Sequence, residues 1–241
     1  MSLTLNNATD FLAKRDGIDK TLKVIRYTSR LLLAGSLPRY APELGAQLKA
    51  LEGSLGTTRK ALKLGKFLGG VKNLRSITPR TPHAALKLVA GVGDTVYLFM
   101  EQLQWMIKVG LLSKRHADSL SYVSAWFELV GYCGSITLAT LLQQESLELE
   151  LKILDDLARS RQTDESWGPQ DERKVQARLS ELRAVRTLRT LSILQDAADS
   201  FLALADIQKS GKLLQNPALQ AAAGLLSAVI SGYTKWPGVK P

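Results

Sequence analysis

Three long apolar segments, residues 86–112, 120–142 and 213–234, constrain what this chain can fold into. Each is long enough for a helix that crosses the hydrocarbon core of a bilayer, which takes about 20 apolar residues. They are interrupted by Asp94, Glu101, Lys108 and Glu128. Such residues face inward both in membrane helices and in the buried helices of a bundle. Hydropathy alone therefore leaves both structures open.

The rest of the chain also favours helices. Leu, Ala, Lys, Arg and Gln dominate, aromatic residues make up 6%, and the alternating apolar runs of strands are hard to find. Within residues 171–209, apolar residues recur at three- and four-residue steps, which predicts a bundle or coiled-coil face. The sequence therefore predicts an all-α protein.

The positive charge is concentrated at one end of the chain. The whole chain carries +10, and residues 1–85 hold 15 Lys/Arg against 5 Asp/Glu, which is also +10. The rest of the chain, residues 86–241, holds equal numbers of basic and acidic residues and therefore has no net charge. Such an asymmetry indicates an anionic partner for the N-terminal third, either nucleic acid or lipid headgroups.

Residues 57–75, the basic segment, contain six basic residues and no acidic one. The basic residues are Arg59, Lys60, Lys63, Lys66, Lys72 and Arg75, and the apolar residues at helical spacing are Leu64, Phe67, Leu68, Val71 and Leu74. On one helix of 57–75, these apolar residues form an arc. Arg59, Lys63 and Lys66 fall on the far side or its flank, and Lys60 and Arg75 border the arc at its two ends, as in helices that lie in a membrane interface. Its glycines disfavour a helix in water, so we expect it to fold when it meets lipid.

Three other interpretations of the basic segment stay open at this level. Its apolar arc could pack on the rest of the protein while the cations are solvated, or it could be a calmodulin-type target helix. Nucleic-acid binding would need aromatic platforms or a helix-turn-helix, and Phe67, Tyr27 and Tyr40 are scattered.

Residues that would carry catalysis or hold a metal are not evident. The two histidines, His83 and His116, are far apart and have no Cys, Asp or Glu at ligand spacing. A phosphate-binding loop would need a Gly-Lys-Ser/Thr sequence, which the chain does not contain. We therefore expect a protein that is not an enzyme, with no cofactor and no metal site.

Four stretches resemble the peroxin-11 family of peroxisomal membrane proteins, in the family's order. They read "RDGIDKTLKVIRYTSRLL", "TTRKALKLGKFLGGVKNLR", "QLQWMIKVGLL" and "LLSAVISGYTKW". The resemblance implies an integral peroxisomal membrane protein, with amphipathic N-terminal helices and apolar membrane helices, that elongates the organelle before fission. It also favours lipid over nucleic acid as the anionic partner.

In that family, a basic amphipathic helix at the position of residues 57–75 inserts into the cytosolic leaflet. The resemblance implies that Arg59, Lys60, Lys63, Lys66, Lys72 and Arg75 contact headgroups of an anionic phospholipid membrane. It implies that Leu64, Phe67, Leu68, Val71 and Leu74 insert. The implied partners are further copies of the chain in a homo-oligomer, a dynamin-related fission GTPase and a tail-anchored fission adaptor.

The expected regions follow from these features. They are a basic helical region (1–53), a membrane-binding helix (54–80), apolar membrane-embedded helices (81–142), a charged amphipathic region (143–212) and a C-terminal transmembrane helix with its tail (213–241). Positive charge at both ends favours cytosolic termini and an even number of spans, for which we expect 213–235 and 89–112. An alternative function, also proposed in the family, is a pore for small metabolites lined by Asp94, Glu101 and Glu128.

Overall fold

A computed structural model describes residues 4–163, 169–208 and 210–239, and these ranges contain helices and no strand. The helices are α1 (Leu5–Leu12), α2 (Arg15–Ala34), α3 (Leu37–Tyr40), α4 (Pro42–Leu62), α5 (Lys66–Arg75), α6 (Ala84–Lys108), α7 (Ala117–Thr163), α8 (Pro169–Ile207) and α9 (Pro217–Thr234). A 3-10 turn, Lys114–His116, precedes α7. The all-α prediction is confirmed.

Several helix ends follow local sequence rules. Gly35 ends α2, and the stretch with two prolines, residues 76–83, separates α5 from α6 as expected. At the start of α9, the Asn216 side chain accepts hydrogen bonds from the backbone N–H groups of Ala218 and Leu219, at 2.9 and 3.3 Å.

The basic segment is not one helix, so that prediction is wrong. α4 ends at Leu62, and α5 begins at Lys66 after Gly65, which has a φ of 75°. Only glycine adopts this left-handed conformation without a steric penalty, so Gly65 breaks the helix. The Arg15 guanidinium donates to the carbonyl oxygen of Leu64 at 2.9 Å and ties this break to α2.

The longest helix, α7, joins two regions that the sequence separated at residue 143. It runs for 47 residues without interruption, because the change at residue 143 is from apolar to charged side chains and brings no helix breaker. α7 and α8 lie antiparallel, as the hydrogen bonds of Ser135 with Asp196 and of Glu150 with Arg183 show.

Close helix packing depends on small residues. A Cβ atom on Gly93 of α6 would lie 2.4 Å from the Cα of Gly131 in α7, so these helices touch backbone to backbone. α9 packs against α2 and α8. Its small residues Ala221, Ser227 and Ala228 are fully buried in that contact. The C-terminal segment therefore packs onto the N-terminal helices.

Within the described ranges, one helix is long and apolar enough to cross a membrane, and it lies between Lys114 and Ser160. It contains residues 120–142. Neither 213–235 nor 89–112, the two spans favoured from the sequence, meets the same criterion. The mean hydropathy of α9 is too low for a span, because small and polar residues are interspersed among its large apolar ones.

Candidate functional site: the basic segment and a polar cavity

The second half of the basic segment, α5, lies on α6. The Phe67 ring meets the Phe99 ring edge to face, with centroids 5.4 Å apart. A Cβ atom on Gly91 of α6 would lie 2.8 Å from the Leu74 side chain. Leu64 and Val71 are half-buried. Of the five side chains predicted to insert, Leu68 is the most accessible, with 61% of its surface exposed.

Four of the six predicted headgroup cations form ion pairs within the protein. Arg59 donates from Nε to Asp19 at 2.9 Å, and both residues are buried. Lys60 and Lys63 both donate to Glu101, Lys63 at 3.1 Å. Lys66 pairs with Asp16. These pairs hold the basic segment against α2 and α6.

The other two cations, Lys72 and Arg75, are exposed near the end of α5. Within the described residues they form no ion pair. With Leu68, they are the predicted membrane-contacting residues that are exposed to solvent in this conformation.

The acidic partners were not found from the sequence. Asp16, Asp19 and Glu101 lie far from the basic segment along the chain, and only the packing of α2 and α6 around α4 and α5 brings them near. A possible signal was the excess of cations itself, because buried cations need carboxylates. That signal does not say which carboxylates.

The Arg59–Asp19 pair is electrostatically well matched. Burial raises the pKa of the Asp19 carboxyl, but the charges of Arg59, Lys20 and Lys63 outweigh burial and hold that pKa below its usual value of 3.8. Asp19 is therefore ionised at neutral pH, and the pair is a fixed link between α2 and α4.

A cavity of about 740 Å³, partly open to solvent, lies among α2, α4, α6, α7 and α8. Eight basic and eight acidic side chains line it. The basic ones come from α2, from the basic segment and from the chain after α9, while most of the acidic ones come from α6, α7 and α8. The cavity thus brings together basic and acidic side chains that lie mostly on different helices.

A buried network closes part of this cavity. Lys23 of α2 donates to Asp199 of α8 at 2.9 and 3.1 Å, and to the hydroxyl of Ser227 in α9 at 2.6 Å. The Ser227 hydroxyl in turn donates to Asp199 at 2.6 Å. Three helices are joined here, so the N-terminal and C-terminal parts share one interior.

All three acidic residues expected to line a pore face this cavity. Glu101 pairs with Lys60 and Lys63. Glu128 accepts a hydrogen bond from the Tyr132 hydroxyl at 2.9 Å. Asp94 also lines the cavity and is without an ion pair or hydrogen bond among the described residues. The part of the chain that the structure describes contains no group of His, Cys, Asp and Glu suited to a metal.

Comparisons with known proteins agree on one family. A family model described as Peroxisomal biogenesis factor 11 (PEX11) matches residues 5–236. The chain is 35% identical to Peroxisomal membrane protein 11A of Arabidopsis thaliana, covering 96% of this chain and 92% of the relative. It is 41% identical to Peroxisomal membrane protein 11-3 of Oryza sativa subsp. japonica, covering 94% and 86%. No solved structure matches.

Proposed function

Because this chain belongs to the peroxisomal biogenesis factor 11 family, we propose that it is an integral peroxisomal membrane protein that remodels and elongates the membrane. Its relatives are named peroxisomal membrane proteins. The remodelling promotes peroxisome proliferation and fission and involves no enzymatic step. The basic segment acts on the cytosolic leaflet.

One observation carries this proposal: the basic segment ends in a short helix that has an exposed apolar side chain and two exposed cations. Leu68 projects from α5, and Lys72 and Arg75 are free to meet headgroups. A cation near an anionic membrane surface contributes about 1 kcal/mol. Leu68 and the two cations therefore make the first contact with the membrane.

Deeper insertion requires α5 to leave α6. Gly65 at one end and the proline-containing stretch at the other allow α5 to move as a unit. Lys66, at the start of α5, then exchanges Asp16 for a lipid phosphate, and Phe67 and Leu74 follow Leu68 into the leaflet. An inserted helix expands the area of one leaflet, and expansion of one leaflet bends the membrane.

Self-association concentrates this effect until the membrane becomes tubular. We propose a homo-oligomer, with a dynamin-related fission GTPase and a tail-anchored adaptor as later partners; these come from the family resemblance. We further propose that both termini are cytosolic. Carbonate extraction and protease protection of isolated organelles test this topology, and release of the full chain by carbonate would refute integral insertion.

The remodelling proposal is tested by reconstituting the full chain into liposomes. An environment-sensitive fluorophore is placed at residue 68 in a Leu68→Cys, Cys133→Ser background, since Cys133 is the single cysteine and is exposed. We expect blue-shifted emission and tubules with anionic lipid, and neither with neutral lipid. Lys72→Glu with Arg75→Glu should reduce both.

The matched control reverses two exposed cations outside the basic segment, Arg39→Glu with Lys49→Glu. It makes the same change in net charge and should preserve emission and tubules. Equal losses in both double variants would assign the effect to overall charge and refute a specific role for α5.

A second candidate function, a pore for small metabolites, is favoured by the cavity. Asp94, Glu101 and Glu128 meet in a polar interior enclosed by α6, α7 and the N-terminal helices. In planar bilayers, Asp94→Asn should alter conductance while tubulation continues. Wild-type protein without conductance would exclude this function.

A further inference from the structure

We infer that the cavity is a binding site for a small zwitterion of the amino-acid type, held between the Lys20 ammonium and the Asp94 carboxylate. The inference builds on the cavity of the second candidate function. The inference requires that the ligand binds at equilibrium, and it does not require that the protein conducts solutes. The binding site and the pore can therefore be refuted independently of each other.

Lys20 is a cation of α2 that faces the cavity and lacks a close partner. The nearest carboxylate oxygen is Oδ2 of its neighbour Asp19, at 3.9 Å. That carboxylate is already held by Arg59 at 2.9 Å. The Lys20 side chain forms no hydrogen bond with the described residues, whereas Lys23, one turn further along α2, has three.

Asp94 is the corresponding anion on α6. It lies in the lining of the cavity, yet its surface is exposed, because it faces the open space. The cations whose charges act on it are Lys63, Lys20 and Lys66. Lys63 holds Glu101, and Lys66 holds Asp16. Of these three cations, Lys20 is the one whose charge is uncommitted.

The other unpaired carboxylates of the cavity differ from Asp94. Asp196 accepts a hydrogen bond from Ser135 at 2.6 Å, and Glu128 accepts one from Tyr132 at 2.9 Å. For Asp206, the cations whose charges act most strongly are Arg30, Lys60 and Arg26. Lys20 and Asp94 are therefore the two uncommitted charges that act on each other.

Lys20 and Asp94 do not neutralise each other directly. The two groups are more than an ion-pair distance apart, since no pair between them lies within 4.0 Å. A simple anion would neutralise Lys20 but would add negative charge beside Asp94, and a simple cation would do the reverse. A zwitterion gives each group its counter-charge and leaves the net charge of the cavity unchanged.

Size and electrostatics agree with this class of ligand. The cavity volume of about 740 Å³ lies within the range of about 300–1,000 Å³ found for small-molecule sites. Burial, followed by the charge of Lys23, lowers the pKa of Lys20 from 10.5 to about 8. The charge of the Lys20 ammonium is therefore disfavoured in the folded protein, and the carboxylate of a ligand would stabilise it.

Thermal unfolding of the full chain in neutral detergent tests the inference. The probes are glycine, β-alanine, 4-aminobutyrate and 5-aminopentanoate at low millimolar concentration, each compared with acetate and methylammonium at equal ionic strength. We expect a saturable rise in Tm for at least one amino acid, larger than the sum of the rises with its two single-charge analogues. Lys20→Met and Asp94→Asn should each abolish it.

The control is Lys49→Met, which removes an exposed cation of α4 outside the cavity and should retain the full shift. A shift that survives in Lys20→Met or Asp94→Asn would overturn the site, and so would the absence of any shift in the wild type. An equal shift with acetate alone would replace the zwitterion by a simple anion. A shift with phosphatidic acid in the micelles, without one for amino acids, would assign the cavity to a lipid headgroup.

Discussion

The Arg59 guanidinium donates to the Asp19 carboxylate at 2.9 Å, and both residues are buried between α4 and α2. Arg59 was expected at a membrane surface, but in this conformation it is the interior end of the basic segment. The segment therefore has a fixed part, anchored by Arg59, and a solvent-facing part that ends with Arg75.

Loss of the Asp19 charge should destabilise the fold. Asp19→Asn leaves a buried arginine without its carboxylate, and we expect a loss of about 3–5 kcal/mol in the free energy of unfolding. Denaturant unfolding in detergent measures it. Asp19→Asn combined with Arg59→Met should recover much of the loss. A double variant that is no more stable than Asp19→Asn would contradict the pairing.

The same pair predicts a dependence on acid pH. The pKa of Asp19 is held below 3.8 in the folded protein, so its stabilising contribution is complete above about pH 4 and is lost as pH falls through the lower folded pKa. The stability difference between wild type and Asp19→Asn should therefore shrink on acidification below about pH 4. A difference that stays constant from pH 6 to pH 2 would argue against this origin.

Release of α5 should respond to Asp16. Asp16→Asn removes the carboxylate that holds Lys66 at the start of α5, so we expect α5 to leave α6 more readily and the residue-68 fluorophore to insert at lower anionic-lipid content. Thermal stability in detergent should fall. Glu43→Gln, an exposed change of equal charge in α4, should do neither. Unchanged lipid dependence for Asp16→Asn would rule out this latch.

The contact of α9 with α2 depends on Gly224. A Cβ atom there would lie 2.0 Å from the Tyr27 ring, whereas one at Gly232 of the same helix meets nothing within 4 Å. Gly224→Ala should therefore cost about 2 kcal/mol or more. Gly232→Ala should stabilise the helix by up to about 1 kcal/mol, because alanine is the better helix former. Thermal unfolding of the two variants measures this difference. Equal effects of the two substitutions would contradict the close contact of Gly224 with Tyr27 of α2.

Removal of Lys20 should stabilise the protein at neutral pH when no ligand is added. Its folded pKa of about 8 lies below 10.5, so the cost of its charge is complete below about pH 8 and disappears as pH rises towards 10.5. The groups around it are Lys23, Asp19, Arg59 and Lys63, with Asp94 facing it from α6. Lys20→Met should gain up to about 3 kcal/mol at pH 7 and less at pH 10. A gain independent of pH would exclude this cause.

Local sequence signals predicted the helices well. Gly35 and the proline-containing stretch before α6 mark real boundaries, because backbone geometry at glycine and proline depends little on the rest of the fold. The break at Gly65 was missed, since a single glycine inside a helical pattern is often tolerated. Its conformation here is fixed by Arg15 and Asp16, which hold the residues on either side.

The chemistry of the basic segment was less predictable than its helices. Helical periodicity places Lys63 and Lys66 on a polar face. A polar face is equally compatible with solvent, with lipid headgroups and with buried carboxylates. The choice between these depends on where α2 and α6 place Asp16 and Glu101, which only the tertiary structure shows. The cavity has the same origin, because its lining comes from separate parts of the chain.

The unbroken length of α7 has a mechanical consequence. A helix of 47 residues is about 70 Å long, more than twice the thickness of a bilayer core. Where its apolar half lies in a membrane, the charged half extends about 30 Å beyond it as a stiff arm braced by α8. A change in tilt of about 20° at the bilayer would displace the tip of that arm by about 10 Å. Bending of the membrane would thereby become a displacement that a neighbouring molecule can sense.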